Sequence, residues 1–252
     1  MSAPDELPAR TLRLVIEYDG TDFAGWQRQL GQRTVQACLE EALQAMTGQA
    51  LRVTGAGRTD AGVHAEGQVA SVRVSSRIPT GGFLRGLNAN LPPDMAVREV
   101  SDADPGFDAR RSARGKTYRY QIWNHLTRSP LQGRASWHHR APLDVHAMRE
   151  AAAAFVGEHD FRAFRASDCD RKNTVRLIRA FEVERRGALI LCEVEGTAFL
   201  KNMVRIMVGT LVQAGHGELD AAGVRRLLEA GDRTQSGVTA PAHGLTLVRV
   251  TY

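Results

Sequence analysis

The sequence predicts an α+β protein built from two ferredoxin-like halves. Strand-type and helix-type periodicities alternate along the chain, the order βαββαβ can be read twice, and no run approaches about 18 consecutive apolar residues. Residues 10–18, RTLRLVIEY, alternate as a strand does. Residues 34–47, TVQACLEEALQAMT, set Val35, Leu39, Ala42, Leu43 and Met46 on one helical face and stop at Gly48. Residues 50–54 and 66–74 (EGQVASVRV) read as strands flanking a glycine-rich bend, 80–90 as a short helix ahead of Pro92 and Pro93, and 94–100 as a strand. The second half opens after the turn-rich DADPGF with a strand at 115–123, then a loop rich in Arg, His and Pro. A helix from Asp144 to Val156 follows, with Asp144 placed to cap it. Strands at 174–185 and 188–195, helices at 198–214 and 220–230, and a strand at 245–251 complete the pattern. The halves divide as residues 1–108 and 109–252. No internal sequence repeat accompanies the repeated element order.

A chain of 252 residues with 43% hydrophobic composition can bury a sizeable core. The start, MSAPDELPAR, lacks the basic and apolar regions of an export signal, so a cytoplasmic protein is expected. Cys38, Cys169 and Cys192 are odd in number and widely spaced, which fits reduced thiols better than a disulfide framework. The net charge of +5 permits a polyanionic partner. Of 33 basic residues only Lys116, Lys172 and Lys201 are lysines; codon bias accounts for that skew, so only local clusters of arginine carry information.

Several chemistries lack their signatures. There is no HExxH, GxxxxGK[ST] or GxSxG, and the eight histidines show no metal-ligand spacing, so neither a metal nor a nucleotide cofactor is expected. Three stretches remain. In GAGRTDAGVHAEG (55–67) a carboxylate, Asp60, stands two residues after Arg58 among glycines; it is either an ordinary turn with an Asx hydrogen bond or a bend that presents Asp60 to a closely approaching ligand. In AFLKNMVRIMVGTLV (198–212) Arg205 interrupts an almost wholly apolar helix, so it either shares an exposed stripe with Lys201 or reaches a buried anion such as Asp60. In FDARRSARGKTYRY (107–120) the cations Arg110, Arg111, Arg114, Lys116 and Arg119 run into Tyr118 and Tyr120, which suits phosphates and an unstacked base as well as it suits a protected edge strand.

These stretches, with EYDGTDFAGWQRQ (17–29), LNANLPPDMAV (87–97), DFRAF (160–164) and AHGLTLVRVTY (242–252), resemble the tRNA pseudouridine synthase A family over almost the entire chain. The resemblance implies an enzyme that isomerises uridine to pseudouridine at positions 38, 39 and 40 of the tRNA anticodon arm, without a cofactor and as a homodimer. It also implies a continuous antiparallel sheet through both halves, helices on one face and a central cleft. Asp60 matches the family's catalytic aspartate, Arg58 and Arg205 the basic residues beside it, Tyr118 the ring over the target base, and Leu245 a pocket-lining position. Arg110, Arg111, Arg114, Lys116 and Lys201 are then candidates for contacts to the RNA. Two departures stand out: Ala163 replaces a frequent serine in DFRAF, and the chain stops at Tyr252 where some relatives continue.

The chemistry breaks the bond from C1′ to N1, turns the uracil and joins C5 to C1′. A carboxylate can attack the sugar or remove its proton, and must be ionised for either. Burial under a flipped base favours the protonated acid, whereas an adjacent guanidinium favours the anion. The rival readings are a tandem RNA-binding module, against which EGQVASVRV lacks the aromatic residues of an RNP1 strand, and a base-excising glycosidase, which would release free uracil.

Overall fold

The computed structural model describes residues 8–252. Along the chain run β1 (Arg10–Tyr18), α1 (Val35–Thr47), β2 (Thr54–Gly55), β3 (His64–Val74), α2 (Thr80–Asn90), β4 (Met95–Ala103) and β5 (Gly115–Asn124). Then come β6 (Trp137–His139), α3 (Val145–Ala153), β7 (Gly157–Asp160), β8 (Val175–Arg186), β9 (Leu189–Gly196), α4 (Met203–Gly215), α5 (Ala221–Ala230) and β10 (Leu245–Thr251). Two compact units result, one comprising the described residues up to Arg114 with Leu247–Tyr252, the other Gly115–Thr246. This is the α+β, two-half architecture that the alternating periodicities predict.

In the first unit the strands order β4-β1-β3-β10. β1 is antiparallel to both neighbours, with Leu12 opposite Val72 on β3 and Asp102 on β4. Leu12, Leu14 and Ile16 alternate along β1 and are fully buried, as are Leu39 and Leu43 of α1 and Phe83 and Leu87 of α2. Each such side chain contributes about 1.5–3 kcal/mol over an exposed one. α1 begins where the Thr34 hydroxyl accepts from the Ala37 amide and ends at Gly48, whose φ of 69° is the left-handed conformation of a glycine C-cap.

The strand expected at 50–54 shrinks to the two residues of β2. The backbone ahead of it is satisfied by α1 instead of by a ladder: Gln36 Nε2 donates to Val53 O (3.2 Å), and the Val53 amide donates to Glu40 Oε1 (3.1 Å). β10 pairs with β3, and it does so closely; a Cβ on Gly67 would sit 2.4 Å from Val248 O.

In the second unit the strands order β5-β9-β8-β7, antiparallel throughout, with Tyr118 opposite Val194 in the β5–β9 ladder. Asp144 caps α3 as its sequence position predicts, its Oδ1 accepting from His146 and Ala147. Asp220 caps α5 through the Gly223 amide (2.7 Å). Two short strands go beyond the sequence reading: β6, parallel to β5, lies inside the Arg/His/Pro-rich loop, and β7 follows α3 directly. Neither is long enough to show a period of two. No helix among the described residues is long and apolar enough to cross a membrane.

Candidate active site

Asp60 lies in the first unit on a loop that a second loop, residues 19–33, holds from beneath. Gly20 and Gly25 make that support possible. A Cβ on Gly20 would lie within van der Waals overlap of Val63 O, and one on Gly25, whose φ is +93°, would stand 2.8 Å from Thr59 O and 3.2 Å from Asp60 C. With no side chains in the way, the Trp26 amide donates to Thr59 O (3.0 Å) and the Gly62 amide to Phe23 O (3.4 Å). Asp60 itself opens a tight turn closed by Val63 N to Asp60 O (3.2 Å), with the positive φ at Gly62 (+78°) that such a turn needs at its third residue.

Side chains complete the support. The buried Tyr18 hydroxyl is 2.8 Å from Thr59 Oγ1, and Gln68 Nε2 donates to Gly57 O (2.9 Å). Burial pushes the Tyr18 phenol up to about 12, while its bonds to Thr59 and Gln68 act in the opposite direction. Trp26 lies against Gly55, where a Cβ would meet its indole at 2.4 Å. Arg58 is exposed and oriented by its own loop contact, Nε donating to Gln27 Oε1 at 3.1 Å. Asp60 is half-buried on this doubly hydrogen-bonded bend.

Arg33 ties the supporting loop to the start of β4 by a two-pronged pair with Asp94, both contacts 2.7 Å, while its guanidinium lies 4.1 Å over the Phe23 ring. The Arg33 hydrogen bonds hold the Asp94 carboxyl below the usual carboxylate range. Farther along, Asp108 Oδ1 accepts from the Arg110 and Arg111 amides (2.9 and 2.8 Å), so the bend throws both guanidinium groups outward, where neither meets a partner among the described residues. The bend is pinned to the end of β10 by Arg114 N to Thr251 O (2.8 Å) and by the Tyr252 hydroxyl to Ala109 O (2.8 Å).

The other singled-out residues belong to the second unit. Tyr118 on β5 is buried, its ring edge-on to Phe199 at 5.1 Å between centroids. Lys116 is half-buried one period earlier on the same strand. Leu245 opens β10 and is also buried; the preceding Gly244 lies on the Tyr120 ring, which a Cβ would meet at 2.5 Å. Tyr120 donates its hydroxyl to Pro241 O (2.8 Å). Burial pushes the Tyr120 phenol strongly upward, and the nearby Arg205 charge pulls the other way.

Arg205 is half-buried on α4, and its guanidinium is held at two points: Nε donates to Ala240 O (2.7 Å) and Nη1 to Asn202 Oδ1 (2.9 Å). The exposed stripe with Lys201 is not what forms. α4 begins at Met203 rather than 198, because Asn202 adopts φ 61° and cannot continue a helix, so Lys201 sits in the preceding turn. There Lys201 Nζ pairs with Asp168 Oδ2 at 2.5 Å. Asn202 is the only non-glycine residue with positive φ among the described residues, a conformation costing about 1–3 kcal/mol, and its side chain also holds Arg205. The sequence reading passed over it, although Asn is the side chain best suited to such a conformation; Tyr120 and Gln68 went unassigned because only their contacts reveal their part.

All three cysteines are free thiols, and burial raises that of Cys192 to about 12. Among the described residues no group of three or more His, Cys, Asp or Glu side chains could hold a metal ion.

Comparison with known proteins agrees with the motifs. The family model described as tRNA pseudouridine synthase matches residues 14–110 and 151–252. The tRNA pseudouridine synthase A of Geotalea uraniireducens is 47% identical over 243 residues, covering 96% of this chain and 100% of that protein. That of Citrifermentans bemidjiense is 50% identical, covering 96% and 98%, and that of Myxococcus xanthus 48% identical, covering 96% and 91%. With a family model matching residues 14–110 and 151–252 and relatives 47–50% identical over 96% of its length, the chain belongs to the tRNA pseudouridine synthase A family.

Proposed function

We propose that the protein converts uridine to pseudouridine at positions 38, 39 and 40 of the tRNA anticodon stem-loop, with Asp60 as the catalytic nucleophile. The observation that carries this reading is the Asp60 bend itself. Two glycine-permitted backbone approaches and the Tyr18–Thr59 bond hold the main chain that carries Asp60, which supports the preorganisation a nucleophile needs.

An Asp60 oxygen attacks C1′ as the C1′–N1 bond breaks and its electron pair leaves on the uracil. The base rotates, C5 displaces the carboxylate from C1′, and net transfer of the C5 proton to N1 restores the uracil ring. In the alternative route the carboxylate first removes a sugar proton and a glycal forms. Both begin from the anion, and Arg58 and Arg205 supply the positive charge that favours it in a site closed by RNA. The clamp on Arg205 from Asn202 and Ala240 supports this part, because it spares the guanidinium any reorganisation during reaction. Tyr118 receives the extruded base, Leu245 lines its pocket, and Arg110, Arg111, Arg114, Lys116 and Lys201 meet RNA phosphates. The enzyme works without a cofactor, as a homodimer, in the cytoplasm.

The test is to incubate purified protein with unmodified tRNA and map pseudouridine, with Asp60→Asn alongside. Product at positions 38–40 from wild type alone is the expected result, with tRNA binding retained in the variant. Equal product from both removes Asp60 from the mechanism. Tight binding with no product favours a non-catalytic RNA-binding module, and free uracil favours a glycosidase.

A further inference from the structure

From Ala109 to Leu143 the chain contains no Asp or Glu but eight Arg and Lys residues, more than its net charge of +5, so the remainder is net acidic. The first part of this run is the FDARRSARGKTYRY stretch. Its second part, HLTRSPLQGRASWHHRAPL (125–143), carries Arg128, Arg134 and Arg140 with His125, His138 and His139, and has no part in the reaction proposed above. In the second unit this loop encloses a cavity of about 300 Å³ lined by Trp123, Arg128, Ser129, His138 and His243.

The cavity has built walls. Trp123 Nε1 donates to Thr127 O (2.9 Å), which fixes the indole. Gln121 Nε2 donates to Ala135 O (3.0 Å), Ser136 Oγ to Gln132 O (2.7 Å), and His138 Nε2 lies 2.9 Å from His125 O. β6 pins the far side of the loop to β5. Arg128 differs from these residues: it is exposed and makes no hydrogen bond or ion pair among the described residues. A fixed indole, an uncommitted guanidinium, a hydroxyl and two imidazoles in an acid-free surround are suited to a base lying on a ring with its phosphate held by cations.

We infer that this cavity is a second RNA contact, which takes one unstacked nucleotide other than the uridine being isomerised, its base against Trp123 and its phosphate on Arg128. The inference rests on the proposed tRNA reading. Trp123 lies five residues beyond Tyr118 on β5, about 17 Å along a strand, and the odd separation puts the two rings on opposite faces. One nucleotide cannot fill both places. The short 3₁₀ turn Ala242–Gly244 places His243 at the cavity and is followed directly by Leu245, so the same turn serves the cavity and the proposed uridine pocket.

The experiment separates the two readings. Unmodified tRNA is titrated into Asp60→Asn protein, which binds without turning over, and indole fluorescence is followed with Trp123→Phe and Arg128→Gln added singly. Trp123→Phe should abolish most of the quench. Arg128→Gln should weaken binding about 3- to 10-fold and lower the slope of log affinity against log salt by about one. In the otherwise wild-type enzyme the loss from Arg128→Gln should fall on KM rather than kcat. Wild-type turnover together with an unaltered quench in Trp123→Phe and an unaltered salt slope in Arg128→Gln overturns this inference alone. Binding with both effects but no pseudouridine overturns the isomerase reading and leaves the contact standing, and absence of any tRNA binding overturns both.

Discussion

Replacing Gly25 by alanine acts on the support of Asp60 without touching its carboxylate. Gly25 has φ +93°, which a residue bearing a Cβ enters at a cost of about 1–2 kcal/mol. The new methyl would stand 2.8 Å from Thr59 O, where ordinary contact begins at 3.4 Å, so one backbone must retreat by about 0.6 Å. Both neighbours are main chain, held by the Trp26–Thr59 bond, so the displacement adds overpacking of about 1–3 kcal/mol. At about 2–4 °C per kcal/mol for a chain of this length, Tm should fall by about 4 °C or more. Because a shift near 1 Å in a reacting group costs about 100-fold, kcat for pseudouridine formation should drop about 10- to 100-fold while tRNA affinity holds. Gly31→Ala is the control: its φ is +70°, yet nothing lies within 4 Å of the new Cβ, so it bears the backbone cost alone and keeps its kcat. Calorimetry and single-turnover kinetics on both variants decide the matter. Equal losses of Tm in the two, or wild-type kcat in Gly25→Ala, would refute the argument from close approach.

Asn202→Gly removes the backbone strain together with the Arg205 hydrogen bond, so urea unfolding should change little while kcat drops about 10-fold or more; parallel loss of both would mean that Asn202 is only structural. Tyr18→Phe leaves the buried Thr59 hydroxyl without this partner and should cost about 1–2 kcal/mol in urea titration. The wild-type Tyr18 phenol titrates near 12, against 10 for an unfolded tyrosine, so its contribution is complete below pH 10 and lost as pH rises toward 12; stability of the Phe variant should fall less steeply over that window. His139 has the opposite sign. Burial, then the charges of His216 and His138, hold it below the ordinary histidine value, so stability is complete above pH 6.5 and declines as pH falls. His216→Gln, which removes the partner 2.9 Å away, should flatten that decline in urea midpoints taken between pH 7.5 and 5.

Elements with a complete local signal were legible in the sequence. β1 and α2 appear at the residues expected of them, and the stop at Gly48 and the cap at Asp144 fall where side-chain chemistry puts them. What failed was decided by tertiary partners. Val53 resembles a strand residue until Gln36 and Glu40 take its backbone groups, and residues 198–202 carry a helical apolar pattern that one left-handed Asn cuts off. β6 and β7, of three and four residues, are set by the strands they lie beside rather than by pattern. For the candidate site, Asp60 and Arg58 could be picked out because a charged pair among glycines is conspicuous. The reason for the glycines could not be read there, since Gly20 and Gly25 show their purpose only against the backbone of residues 59–63.

One of the strands beside β3, β10, is separated in sequence from the rest of its unit. Leu247–Tyr252 belongs to the unit whose other residues end at Arg114, so a ribosome must deliver the whole of Gly115–Thr246 before the earlier sheet receives its final member. Until then the part of β3 around Gly67, which packs against Val248, lacks that neighbour and offers a short open edge to an extended chain. Removal of Leu247–Tyr252 would leave that edge uncovered, and a chain truncated there should aggregate more readily than the full one.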